Sequence, residues 1–197
     1  VGVGSCAKSL VEGIQYYNEN PEDKIGLMYE DIGGYKVHDI EFVLGFDIDK
    51  RKVNKKLAEA LRAKPNCAMD HVDQIYTNGE SNVSCIADGA SVYSAPELDG
   101  IAPHMHEYPD EVTFVNGAQP AESFDRTVEL LKYHDVDVLV NYLPVGSEEA
   151  SKYWVDVALA AEVHFVNCIP TLNNYLGTFK LITKELYFKR TYNNILE

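Results

Sequence analysis

The chain opens on Val1-Gly-Val-Gly-Ser-Cys-Ala7, a Gly-x-Gly-x-x-Ala spacing that runs at once into a helical pattern. In a dinucleotide-binding turn of this kind the glycines let backbone approach a pyrophosphate, and the small residue at Ala7 lets the helix lie close to the strand before it. The helix then presents unpaired N–H groups to the anion. The turn implies a parallel α/β sheet whose first strand leads straight into Gly2, so most of that strand would precede Val1. A chain starting there is expected to be a fragment, truncated at its first strand, with unpaired backbone at the sheet centre and a tendency to self-associate.

Behind the turn, Ala7, Leu10, Val11 and Ile14 recur on one helical face. The helix is expected to stop near Tyr17, because Asn18-Glu-Asn-Pro21 is a termination signal. Residues 26–38, with Gly33 and Gly34, read as an inserted loop. Glu41-Phe-Val-Leu-Gly-Phe-Asp47 is a short apolar run ending in an acid, as in a buried parallel strand whose carboxyl end faces a ligand crevice. Asp49 and Lys50-Arg-Lys52 lead into a helix carrying Val53, Leu57, Ala60 and Leu61.

Residues 64–119 are rich in Pro, Gly, Asn, Ser and Asp, and short strands are expected at 83–87 and 113–115. So long an irregular stretch is read as a functional excursion or a subunit contact. Alternation then returns: a helix through Phe124, Val128, Leu131 and Tyr133, the strand Asp137-Val-Leu-Val-Asn-Tyr142 and the loop Leu143-Pro-Val-Gly146. The next helix has Ser147 as its N-cap and Glu148 and Glu149 against its positive end. It buries Trp154, Val157, Ala158 and Ala161 before the strand Val163-His-Phe-Val-Asn167. The pattern implies a Rossmann-like, doubly wound parallel α/β sheet over 1–170, with an excursion at about 64–120 and a divergent segment at 171–197.

Composition narrows the partners. Seventeen basic against 31 acidic residues give a formal charge of -14, which argues against nucleic acid and anionic membrane. No apolar run is long enough to cross a bilayer and no signal peptide is visible, so a soluble cytoplasmic protein is expected. Cys6, Cys67, Cys85 and Cys168 form no Cys-x-x-Cys pair and read as reduced, partly buried thiols. His104 and His106 would face one way on a strand, with Glu107 beside them, yet the sequence supplies no third ligand, and Asp70-His71 is no stronger. No metal site is expected.

Asp47 stands where a carboxylate accepts hydrogen bonds from an adenosine ribose. Such an acid normally lies about 20 residues past the glycines; Asp47 lies far beyond, and the loop at 26–38 absorbs the difference. An acid there favours NAD over NADP, because it repels a 2'-phosphate. The plainer alternative is an ordinary turn at Gly2 and Gly4 and a solvated strand end at Asp47.

The resemblance then becomes specific. Val1-Gly-Val-Gly-Ser-Cys-Ala7 with Ser9-Leu-Val-Glu-Gly13, Asp31-Ile-Gly-Gly-Tyr35, Phe46-Asp-Ile-Asp-Lys-Arg-Lys-Val53, Pro65-Asn-Cys67, Gly100-Ile-Ala-Pro-His-Met105, Asn141-Tyr-Leu-Pro-Val-Gly-Ser-Glu-Glu-Ala150 and Phe165-Val-Asn-Cys-Ile-Pro170, in that order, resembles the myo-inositol-1-phosphate synthase family of prokaryotic type. The resemblance implies an NAD-dependent isomerase of inositol and phospholipid biosynthesis, acting on glucose 6-phosphate by C5 oxidation, enolisation, intramolecular aldol closure and reduction. It implies that Gly2, Gly4, Ser5, Cys6 and Ala7 hold the pyrophosphate, that Asp47 and Asp49 hold the adenosine ribose, and that Asn141, Leu143, Pro144, Val145 and Gly146 line the cofactor's inner face. Asn167 either reaches toward nicotinamide or sugar as an active-site contact or caps nearby backbone.

Past Pro170 the resemblance stops. The family continues into lysine-bearing sequence and a large domain for catalysis and tetramer formation, whereas residues 171–197, beginning Thr171-Leu-Asn-Asn-Tyr175, match none of it. Lys180, Lys184 and Lys189 lie outside the family's lysine context, so no catalytic residue is assigned. The chain is expected to carry cofactor binding only, with turnover and a homotetramer belonging to the full-length protein. The alternative is a non-catalytic NAD-binding remnant or partner-dependent module. A plain Rossmann oxidoreductase is disfavoured, since no Tyr-x-x-x-Lys pair accompanies the turn.

Overall fold

Parallel strands cannot be joined by tight turns, so each needs a crossover, and the chain is built that way. In the computed structural model, residues 1–69, 86–116 and 120–170 are described. The expectations on Asp70-His71, Cys85, residues 83–85 and the 171–197 segment with its lysines lie outside the described residues.

The elements are α1 (Ser5–Glu19), β1 (Leu44–Asp47), a single-turn α2 (Leu57–Ala60), β2 (Ser91–Ser94), α3 (Phe124–Tyr133), β3 (Val138–Asn141), α4 (Glu148–Ala161) and β4 (His164–Asn167). Short 3-10 turns lie at Val37–Asp39 and Pro103–Glu107. β1 pairs in parallel with β2, Leu44 opposite Ser91 through Asp47 opposite Ser94. β3 pairs in parallel with β4, Val138 opposite His164 through Asn141 opposite Asn167.

The opening residues join the two pairs. Gly2 N–H donates to Phe46 O at 2.9 Å, Val1 N donates to Val140 O at 2.7 Å, and Tyr142 N–H donates to Val1 O at 2.9 Å. The spatial order is therefore β2, β1, residues 1–3, β3, β4. Alternation along the strands sends neighbouring side chains to opposite faces. Val3 and Val92 enter a cluster with Val11 of α1 and Leu57 and Leu61 at α2. Phe46, with Tyr93 packed beside it, enters a second cluster with Leu130 and Leu131 of α3, Leu139, and Trp154, Val157 and Ala158 of α4. Among the described residues, α1 and α2 thus cover one face and α3 and α4 the other. Among the described residues no helix is long and apolar enough to cross a membrane.

Four local expectations need correction. The α1 face that packs inward is not purely apolar: Lys8, Glu12 and Gln15 are buried with Val11 and Ile14. Lys8 Nζ lies 3.7 Å from Glu12 and donates to Ala68 O, and Gln15 Oε1 accepts from Ile86 N, so this stripe meets backbone on both flanks of segment 70–85. Val53 lies in a turn before α2, which spans one turn only. The excursion's core strand is β2, where Val92 and Asn54 share a backbone bond, and not 113–115, which is irregular up to the Asn116–Asp49 bridge. Finally, His104 and His106 sit on a 3-10 turn instead of a strand, their rings edge-on to Tyr108 and Phe114.

Candidate functional site

The glycine turn is held in a cradle of backbone. Gly2 has φ +80, and a Cβ there would sit 2.7 Å from Tyr142 O and 2.9 Å from its carbonyl carbon, so only glycine lets the turn lie against the end of β3. Gly4 is the N-cap of α1 and supplies no side chain to cap it; the first turn contains no acid either. The amides of Ser5, Cys6 and Ala7 thus start a 15-residue helix whose positive end carries no side-chain cap among the described residues.

The acid at the end of β1 comes to this turn. Asp47 Oδ2 accepts from Val3 N at 2.8 Å and Oδ1 accepts from Asp49 N at 2.9 Å, with Lys52 Nζ 3.4 Å from Oδ2. The structure therefore joins Asp47 to the glycine turn. Asp49 is differently engaged: it is buried, and Arg51 grips both its oxygens at 2.5–3.2 Å while donating to the carbonyls of Asp110 and Thr113. Burial by itself would raise the Asp49 carboxyl, but the Arg51 guanidinium and the N–H groups of Arg51 and Val115 hold it below the ordinary range. Asp49 ties the turn after β1 to residues 110–115.

On the other side of Gly2, Asn141 is fully buried and joins three elements. Its amide donates to Ser151 Oγ on α4 at 3.1 Å and to Asn167 Oδ1 on β4 at 2.9 Å, and its Oδ1 accepts from Leu143 N. Asn167 in turn donates to Ile169 O, so it caps backbone while also meeting Asn141. Leu143 is half-buried, and Pro144, Val145 and Gly146 project as an exposed loop beyond the strand end. Ser5 Oγ donates to Asn66 Oδ1 at 3.0 Å and accepts from Cys67 N, which brings the Pro65-Asn-Cys67 motif to the start of α1. Cys6, Cys67 and Cys168 are exposed, not partly buried as expected. Burial, then the nearby Cys168 and Cys6 thiols, pushes the Tyr142 hydroxyl upward. Among the described residues no group of three His, Cys, Asp or Glu side chains is arranged to hold a metal.

Ser147 stands at the N-cap position of α4 as expected, but its Oγ makes no hydrogen bond among the described residues, and the two oxygens of Asp99 from the excursion accept from Glu149 N and Ala150 N instead, at 2.8 Å each. Gly100 makes this approach feasible: with φ +84 it passes so close that a Cβ would fall 2.0 Å from Ser147 Oγ. Burial would raise the Asp99 carboxyl, yet the N–H groups of Ala150, Glu149 and Glu148 together bring it below its usual value. A carboxyl depressed in the folded state adds stability above its unfolded value of about 4, and that stability is lost as pH falls through the folded value. Asp99→Ala is expected to cost about 1 kcal/mol at pH 7. The difference from wild type should narrow as pH falls below about 4, as urea melts at pH 7 and in acid would show.

With the geometry in place, the chain can be compared with known proteins. No protein-family model matches it. Proteins named inositol-3-phosphate synthase from Corynebacterium glutamicum and Mycolicibacterium smegmatis are each 41% identical to it, over 171 and 172 residues, and a third from Mycobacterium tuberculosis is 40% identical. Each match covers 86% of this chain and 42% of the relative, so the chain spans about two fifths of the length of the curated relatives it matches. Among solved structures, the crystal structure of Ari2 superposes with a TM-score of 0.65 at 28% identity, over 87% of this chain and 44% of that one.

Proposed function

We propose that this chain, a homologue of the inositol-3-phosphate synthases over two fifths of their length, is the NAD-binding part of such a synthase, folded as a Rossmann-like, doubly wound sheet. The strand order supports the fold: with residues 1–3 in the place of a first strand, β2, β1, residues 1–3, β3 and β4 follow the order 3-2-1-4-5 of dinucleotide-binding sheets. One observation carries the ligand. The Asp47 carboxylate reaches Val3 N inside the glycine turn, beside a helix end without a side-chain cap, so an acid for a ribose and amides for a diphosphate meet in one place.

The residues fit the cofactor in detail. Gly2 and Gly4 let backbone approach the diphosphate, and the amides of Ser5, Cys6 and Ala7 neutralise it. Asp47 keeps acceptor capacity for a ribose hydroxyl beyond its bonds to Val3, Asp49 and Lys52. Asp49 acts through the turn that aims Asp47. Asn141 fixes the bend into Leu143, so that Leu143, Pro144, Val145 and Gly146 wall the inner face, with Asn167 held beside it. Bound NAD supplies a reversible hydride acceptor. For the whole protein we propose isomerisation of glucose 6-phosphate to inositol phosphate in the cytoplasm by a homotetramer, and no described residue is assigned a proton-transfer role.

Calorimetric titration of the 197-residue chain with NAD tests this reading. Saturable one-to-one binding is expected, weakened at least about tenfold, or 1.4 kcal/mol, by Asp47→Asn. Absence of binding, or an Asp47→Asn variant that binds as well as wild type, defeats it. No inositol phosphate should form from glucose 6-phosphate on this chain alone, as chromatographic separation of the two isomeric phosphates would show.

A further inference from the structure

We propose that Lys52 sets the discrimination between NAD and its 2'-phosphorylated form, by cancelling the charge with which Asp47 alone would exclude a phosphate from the ribose. The inference rests on the reading that Asp47 faces the adenosine ribose. An acid at that position is a simple sign of NAD preference only when its charge stands alone, and here it does not.

The three cations after β1 have separate fates. Lys50 is exposed to solvent. Arg51 is committed to Asp49 and to two carbonyls across the excursion. Lys52 places Nζ 3.4 Å from Asp47 Oδ2, with both side chains 10% exposed. A pair so shielded interacts more strongly than one in bulk water, and its net charge as seen by a third group is near zero. The ammonium also has three N–H donors, and Asp47 is its hydrogen-bond acceptor among the described residues. A phosphate on the 2'-oxygen therefore meets a cation with spare donors beside the acid, and discrimination against it is modest.

Lys52 is anchored by the backbone that holds the acid. Its N–H donates to Asp49 O, and Asp49 N donates to Asp47 Oδ1, so the ammonium and the carboxylate belong to one turn. A ligand contacting either meets both.

The test is the ratio of NADP to NAD dissociation constants, measured by titration for wild type, Lys52→Gln and Lys52→Arg, with thermal melts confirming that each chain is folded. Lys52→Gln leaves the Asp47 charge uncompensated, and the ratio is expected to rise on the order of tenfold or more. Lys52→Arg keeps the cation and should hold the ratio near wild type, and added salt should shrink the difference. If Lys52→Gln weakens both nucleotides by the same factor, the lysine only positions Asp47 and the inference is overturned, while the NAD-binding reading stands. If the wild-type chain binds neither nucleotide, both fall together.

Discussion

Gly2→Ala is expected to destabilise the chain by about 3 kcal/mol or more and to abolish NAD binding, because two costs add. A non-glycine residue at φ +80 costs about 1–2 kcal/mol of backbone strain. The new methyl group must also be fitted 2.7 Å from a backbone oxygen that belongs to the end of β3 and cannot rotate away, which adds the cost of an overpacked contact, typically about 1–3 kcal/mol. Gly4→Ala is the internal control. Gly4 has φ -110, and a Cβ there meets nothing within 4 Å, so this variant should melt within about 1 kcal/mol of wild type. Urea denaturation with nucleotide titration separates the two roles: Gly2 holds the sheet together, whereas Gly4 matters to whatever approaches the helix end. A Gly2→Ala chain as stable as wild type would show that the approach to Tyr142 is misjudged.

Trp154→Ala carries the second large effect, a loss of about 3–5 kcal/mol. The indole is 1% exposed, and its ring lies 4.8 Å from that of Phe46 and 5.3 Å from that of Tyr153. It sits in the cluster that holds Phe46 of β1 and Leu139 of β3, so it packs under both strand pairs at once. Truncation leaves a void bounded by elements that cannot all collapse into it. Guanidinium unfolding measures the loss. A double-mutant cycle with Phe46→Leu should give a coupling of about 0.5–1.5 kcal/mol for the aromatic pair. A loss below about 1 kcal/mol would mean that the void closes.

Much of this arrangement was legible from residue pattern alone. α1, α3, α4, β3 and β4 were readable because each carries an apolar period matching its geometry and a clear stop. β2 was not, because Ser91-Val-Tyr-Ser94 offers one aliphatic residue to the core and is recruited by β1 and by the turn at Lys55, both distant in sequence. The buried Lys8, Glu12 and Gln15 escaped for a related reason: charge on a helix face reads as solvent exposure until a covering segment supplies partners. At α4 the local rule placed Ser147 at the N-cap, where it stands, but the hydrogen bonds go to Asp99, because Gly100 let a remote carboxylate come closer. At the site, the glycine turn and Asp47 were visible as residues, while the meeting of Asp47 with Val3 and Lys52 required the folded chain.

The three residues between β1 and β3 have a mechanical meaning. Each strand pair has its own ladder, and backbone bonds from Val1, Gly2 and Tyr142 knit one pair to the other. Parting this seam would also break the cluster in which Trp154 packs against Phe46 and Leu139, so its opening is expected to cost nearly as much as global unfolding. The amide protons of Gly2 and Tyr142 therefore act as gauges of that parting, and their deuterium uptake reads how tightly the two halves are stitched.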